Sequence, residues 1–360
     1  MKQLATVVAG LATLALALTG TAFAGTNGTP GAVYSLTNSP QGNAVAVFDR
    51  ATDGHLGAPA YYATGGLGTG AGLGSQGALA LAADGRYLLA VNAGSNTVSA
   101  FAVEVGGLRW LDTVSSSGVQ PTSIALRRNV AFVLNAGSRS ISGFSLDKNG
   151  LAPISGSSAG LSAVASTPSQ IAFAPNGVLV VTERGSNTID TFVLDANEVP
   201  SAPILAASVG NAPFGFDFSG GNAIVADANA GPGNSAATAD SVGADGAIAA
   251  LSGPVPTGQG AACWLVVSKD GGFAFTANAG SSSISSFAVS SSGALTLVAT
   301  TPVNAGHIID EAISGNGRFL YVDADAAGQV YGYRINADGS LSALGAVGGL
   351  PAGSAGLAAA

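Results

Sequence analysis

The sequence predicts an all-β fold, a seven-bladed β-propeller with four antiparallel strands per blade. Three observations predict it. One block of short apolar runs separated by turn residues recurs seven times, its spacing stays between 44 and 49 residues, and the two chain ends supply complementary parts of one blade.

The block is clearest in the third repeat. Pro121–Leu126 and Val130–Leu134 are strand-sized apolar runs, followed by Asn135-Ala136-Gly137-Ser138, Ile141–Leu146, Lys148-Asn149-Gly150 and Leu151–Ser155. Near-alternating apolar residues bounded by Asn-Gly or Asp-Gly mark β-hairpins, because such pairs supply the positive φ of a tight turn. The runs are named strands a to d. Strand a begins near Gln76, Gln120, Thr167, Ala212, Ala261, His307 and Gly353. Asp84-Gly85, Asn176-Gly177, Asp270-Gly271 and Asn316-Gly317 occupy the a–b hairpin, and Asp53-Gly54, Asn149-Gly150, Asp245-Gly246 and Asp338-Gly339 the c–d hairpin. Four strands per roughly 45 residues is the signature of a propeller blade; a β-helix repeats at much shorter intervals.

The ends decide closure. Residues 25 onward open on strand b, Ala32–Thr37, then c at Ala44–Asp49 and d near Tyr61, with no strand a before them. Ser354–Ala358 resembles Pro168–Ala172 and is expected to pair beside Ala32–Thr37 and complete blade 1. Closure of this kind removes open sheet edges.

Residues 1–24 read as a signal peptide. Lys2 precedes an apolar run from Leu4 to Leu18, and Ala22-Phe23-Ala24 forms an A-x-A cleavage site. The run is shorter than the roughly 20 residues that span a bilayer. A secreted or periplasmic protein is expected, with residues 25–360 as a single propeller domain and no membrane span after cleavage.

Composition narrows the chemistry. Twelve Lys and Arg against 20 Asp and Glu, a net charge of −8, cannot build a phosphate-tracking surface, so nucleic acid is excluded as a partner. A single cysteine, Cys263, excludes an intrachain disulfide framework and any multi-cysteine metal site. Gly72–Gly77 fits GxGxxG but leads into a strand rather than a helix, and Gly156–Gly160 fits GxSxG within a serine-rich connector. Asp323-Ala324-Asp325 and Asp227-Ala228-Asn229 offer oxygen ligands, yet neither completes a calcium loop. No cofactor and no metal are expected.

In a propeller the d–a connections and b–c turns share one face, around the channel mouth, and the hairpins share the other. His307 lands at the mouth and His55 on the hairpin face. The column ending strand b reads Asn38, Asn92, Asn135, Glu183, Asp227, Asn278 and Ala324, where asparagine suits turn chemistry. Glu183-Arg184 breaks the neutral pattern in blade 4. Within strand a, one column reads Gly356, Ala78, Ser123, Gln170, Gly215, Trp264 and Asp310. The next reads Leu357, Leu79, Ile124, Ile171, Phe216, Leu265 and Glu311. A carboxyl among packed inner strands has a raised pKa unless paired, which suits a general acid or base. Ala230–Gly243 reads as a long b–c excursion, either a flap over the mouth or a surface ornament.

Segments such as Ala83-Asp84-Gly85-Arg86-Tyr87-Leu88, Asn92-Ala93-Gly94-Ser95-Asn96-Thr97-Val98 and Gly317-Arg318-Phe319-Leu320-Tyr321-Val322 resemble the seven-bladed propeller lactonases. That group includes bacterial 6-phosphogluconolactonases and carboxymuconate cyclase-like proteins. The resemblance implies hydrolysis of a small cyclic ester at the mouth. Under it, Glu311 or Asp310 activates water, His307 assists proton transfer, and Glu183, Arg184, Trp264, Gln170 and Asp227 bind a lactone or carbohydrate-like ligand. The competing reading is a non-catalytic exported scaffold that binds a ligand or protein at the same mouth.

Overall fold

The computed structural model describes residues 31–162, 166–229 and 233–360. Residues 1–24, expected to be a signal peptide, lie outside the described residues.

The turn chemistry sets the hairpins. Gly85, Gly177, Gly271 and Gly317 each follow the Asp or Asn of an a–b hairpin, and their φ values run from 71° to 94°. That region strains any residue with a Cβ, which is why the same dipeptide recurs there. Each blade is then an antiparallel meander in the order a-b-c-d. Blade 4, for example, runs Pro168–Phe173, Leu179–Glu183, Thr188–Phe192 and Ile204–Ala207. Strand a of every blade touches strand a of the next around the whole ring, including blade 7 to blade 1 and blade 1 to blade 2.

Blade 1 takes its strand a from Ala355–Ala359, which pairs antiparallel with Gly31–Leu36, Val33 facing Ala359 and Leu36 facing Ala355. The ring therefore closes by the C-terminal strand, as the sequence predicts.

Packing lies between blades. Strand c contributes Phe101, Phe144, Phe192 and Phe287 from blades 2, 3, 4 and 6, all fully buried, with Tyr333 in blade 7. Blade 5 departs from this row: Asp240 stands two residues beyond Thr238, where the others carry an aromatic ring, and it is equally buried.

Several expectations are corrected. Strand a begins later than expected at three places, Leu79 rather than Gln76, Ile309 rather than His307 and Ala355 rather than Gly353; Gln76 bonds across the channel and His307 lines its mouth instead of pairing in the strand. Ala236–Val242 is strand c of blade 5, so the b–c connection is shorter than the Ala230–Gly243 excursion; 230–232 lie outside the described residues. Its Ala-Ala-Thr-Ala-Asp composition hides the strand. The strand b column in blade 1 is held by Thr37, whose N–H donates to Ala44, while Asn38 turns at φ 49°.

Candidate active site at the channel mouth

A cavity of about 180 Å³ opens at the mouth between the connection from blade 1 to blade 2 and the inner strands of blades 6 and 7. Leu73, Ser75, Trp264, His307, Asp310 and Asp325 are among its lining residues. Of the residues singled out from sequence, His307, Asp310 and Trp264 thus come together. His307 Nδ1 lies 2.7 Å from Asp325 Oδ1. The imidazole is 46% exposed and the carboxylate 16%, so the pair sits at the rim with the ring open to solvent. Asp325 was visible in the sequence as an oxygen donor but not as the partner of His307.

Asp310 occupies the bulge at the start of strand a, at φ 36°. Gly356 fills the equivalent bulge of blade 1 at φ 77°. Aspartate tolerates this region better than most residues because its short side chain bonds local backbone. Here Asp310 Oδ1 accepts from Glu311 N–H at 2.9 Å and Oδ2 from Leu357 N–H at 3.1 Å. Burial raises its pKa to about 7 despite those bonds.

Trp264 donates Nε1–H to the Ser75 carbonyl at 2.9 Å and meets Phe214 edge-on at 5.2 Å. Arg184 crosses from blade 4, its guanidinium carbon 5.2 Å from the Phe214 centroid. A Cβ on Gly74 would sit 3.1 Å from an Arg184 nitrogen, so the guanidinium reaches the cavity wall. Blades 4 and 7 stand across the ring; Arg184 of blade 4 comes against Gly74, which lines the cavity with His307 and Asp310.

The connector that fills the channel was missed from sequence. Residues 72–77 run over the channel, and Gln76 clamps them. Its Nε2–H donates to Leu265 carbonyl at 2.7 Å, its Oε1 accepts from Leu265 N–H at 2.9 Å, and its backbone N–H bonds Ser169 carbonyl at 3.0 Å. Ser75 Oγ donates to Thr122 carbonyl. One residue thus ties blades 2, 4 and 6. Gln170 makes the same two-way bond to Phe216 N–H and carbonyl, so it links strands a of blades 4 and 5 and lies away from the cavity. Gln76→Glu loses the donor and buries a charge. A melting temperature several degrees below wild type is expected, about 1–3 kcal/mol; an unchanged melting curve would mean the clamp carries no weight.

The other residues lie elsewhere. Glu311 is buried, faces blade 6 and has neither oxygen hydrogen-bonded; the amides of Val266 and Ala277 point toward it without closing a bond. Burial and then the Asp310 charge push its pKa well up. Cys263 is a buried thiol pushed up to about 12.

Glu183 and Asp227 belong to a device that the turn reading of their column obscured. Asn92, Asn135 and Asn278 are fully buried and adopt ordinary strand geometry. Each donates Nδ2–H to the serine seven residues on: Ser99 at 2.8 Å, Ser142 at 3.3 Å and Ser285 at 3.0 Å. The column therefore cross-links strands b and c. In blade 4 the pair is Glu183 and Asp190; Asp190 accepts from Ser162 N–H and Oγ–H, which leaves Glu183 facing a carboxylate with no bond of its own. In blade 5 it is Asp227 and Thr238, again with no bond closed. A carboxyl in a donor's seat must be protonated to serve there. Burial raises Glu183 and carries Asp227 up to about 8.

Among the described residues no cluster of His, Cys, Asp or Glu has metal-binding geometry, and no helix is long and apolar enough to cross a membrane.

Solved structures share this architecture. A protein from Lactobacillus plantarum superposes with a TM-score of 0.76 at 18% identity, covering 91% of this chain and 99% of that one. The periplasmic gluconolactonase of Pseudomonas aeruginosa gives 0.74 at 18%, covering 91% and 98%. A putative 6-phosphogluconolactonase from Bacteroides fragilis gives 0.70 at 19%, covering 91% and 97%. At such identities the likeness is one of fold. No curated protein matches the sequence. The sequence profile described as "Lactonase, 7-bladed beta-propeller" matches residues 41–151 and 247–354, more than half of the chain. With the closed ring of seven four-stranded blades, that match makes the chain a member of the seven-bladed β-propeller lactonase family.

Proposed function

We propose that the chain is an exported hydrolase of a small, unphosphorylated lactone, acting in the mouth cavity. The observation that carries this reading is the His307–Asp325 pair opening on a cavity that also holds Asp310 and Trp264. The volume is well below the roughly 300–1,000 Å³ of pockets for drug-sized ligands, which favours a compact substrate. Arg184 is the cation that reaches the wall, behind Gly74, of a cavity that Asp310 and Asp325 also line; a phosphate monoester would bring about two negative charges into that setting.

Asp325 holds the Nδ1 side of His307, which leaves Nε2 to take a proton from water as general base. The water oxygen bonds to the lactone carbonyl carbon, and Arg184 stabilises the oxyanion. When the ring C–O bond breaks, Asp310 supplies the proton to the departing oxygen. Its pKa of about 7 keeps it protonated on the acid side of neutrality. Glu311 contributes no lining atom, so the base role expected of it passes to His307. The N-terminal 24 residues serve export, and a periplasmic relative with this fold supports that placement.

The test is a panel of five- and six-membered lactones, with hydrolysis measured above the spontaneous rate. His307→Ala is expected to lower kcat about 10²–10⁴-fold with an unchanged melting curve. The wild-type rate should fall as pH rises through about 7, because Asp310 loses the proton it donates. Binding of a lactone without any rate above background would leave the scaffold reading in its place.

A further inference from the structure

The face opposite the mouth carries a cationic cluster that lactone hydrolysis leaves unused. Arg50 ends strand c of blade 1, Arg318 lies in the a–b hairpin of blade 7, and Arg334 is near the end of strand c of blade 7. Their guanidinium carbons sit 5.6, 5.5 and 5.5 Å from the centroid of one ring, Phe319. Three of the chain's 12 cations thus gather on one side chain in a molecule of net charge −8. Cation–π attraction holds each guanidinium to the ring but does nothing for the repulsion among them. Arg50 is buried and donates to the Ala360 carbonyl at 3.1 Å.

Three of the six other arginines are matched to carboxylates: Arg86 to Asp84, Arg109 to Glu104 and Arg127 to Glu198. Among the described residues no carboxylate lies within ion-pairing distance of Arg318 or Arg334. Arg334 makes one long contact, 3.5 Å to the Asp53 carbonyl, and the Asp53 carboxylate is turned to His55.

A partly apolar recess adjoins the cluster. Val330, Gly332 and Arg334 alternate along one face of their strand. Val330 and Gly332 line a cavity of about 90 Å³ together with Gly54, His55, Leu56, Leu344 and Ala346. Gly54 joins the two features: a Cβ there would overlap the Phe319 ring at 2.5 Å and Leu344 at 2.6 Å.

We infer that this seam between blades 7 and 1 is a second ligand site, for a small organic carboxylate. The carboxylate bridges Arg318 and Arg334, whose planar forks suit it. A branched alkyl body enters the recess, which spans about three times the share of liquid volume held by one water. The site is independent of the lactone reading and lies on the other face.

The experiment measures thermal shifts with acetate, isobutyrate and inorganic phosphate at ionic strength matched with chloride. Isobutyrate is expected to bind about tenfold tighter than acetate, the gain of two buried carbons. Arg334→Gln and Arg318→Gln should each weaken isobutyrate about tenfold. Ala346→Leu, which fills the recess without touching charge, should erase the preference for isobutyrate and leave acetate binding intact. Arg184→Gln at the mouth, whatever it does to hydrolysis, and Arg109→Gln on blade 2 should leave the isobutyrate shift unchanged. Equal shifts with chloride, insensitivity to Arg334→Gln, stronger binding of phosphate than of isobutyrate, or loss of binding in Arg184→Gln would each overturn the proposal. If an arginine variant fails to fold, Ala346→Leu decides alone.

Discussion

Deleting Gly353–Ala360 is expected to lower the melting temperature by at least about 10 °C or to leave the protein aggregated. The loss extends beyond one strand. Ala355, Leu357 and Ala358 are buried against blades 1, 2 and 7, and strand Gly31–Leu36 would be left with an open edge. Two carboxyls would also lose partners inside the protein. Asp310 accepts from Leu357 N–H, and Asp323 accepts from Ser354 Oγ at 3.1 Å while Ser35 Oγ donates to its other oxygen at 2.9 Å. Orphaned buried polar groups cost about 1–3 kcal/mol each, and an open ring lets blade 1 separate from blade 7. Circular dichroism melting and gel filtration of the truncated protein check this. A melting curve that matches the full chain would mean that the ring does not depend on its last strand.

The blades and their closure were legible because local chemistry repeats: each hairpin needs a positive φ, and Asp-Gly or Asn-Gly announces it at a fixed place. The mouth was legible in part. His307 and Trp264 stood out as isolated residue types, and Glu311 as an acid in an apolar column, with Asp310 beside it. Facing was not legible for Glu311, which points into blade 6 while its neighbour Asp310 lines the cavity; adjacent strand residues point opposite ways. Gln76 was hidden for a different reason. Its partner Leu265 is 189 residues away, and the connector that carries it has no period to read. The asparagine column was seen but given a turn role, since turn and cross-strand asparagines look alike until the serine seven residues later is paired with it. Arg318 and Arg334 lie in ordinary hairpin and strand positions, and only the folded ring brings them to Phe319.

The last large effect is in pH. Wild-type stability is expected to be greatest near pH 4–5 and to fall steadily toward pH 8, the reverse of ordinary acid denaturation. Buried carboxyls set this window. Burial raises Asp240 to about 6, Asp310 to about 7, and Asp227 and Asp323 to about 8, and it raises Glu183 and Glu311 as well. In the unfolded chain these groups titrate near 4. Between those limits the folded state holds more protons than the unfolded state, so stability declines as pH rises. The exposed acids Asp53, Asp84, Asp270 and Asp338 are shifted down by hydrogen bonds to nearby groups and contribute only at the acid end. Asp227→Asn isolates one contribution. The amide restores the donor that Asn92, Asn135 and Asn278 supply, with the Thr238 hydroxyl in the serine's place, and Gly210 already leaves room for the side chain. Near pH 5, where Asp227 is protonated, the variant should melt close to wild type. At pH 8.5 it should melt higher by roughly 2–4 °C, and Glu183→Asn combined with it should widen the gap. Melting curves at matched ionic strength from pH 4 to 9 read both effects. A wild-type optimum at pH 7 or above, or a variant no more stable than wild type at pH 8.5, would show that these carboxyls are not held neutral by the fold.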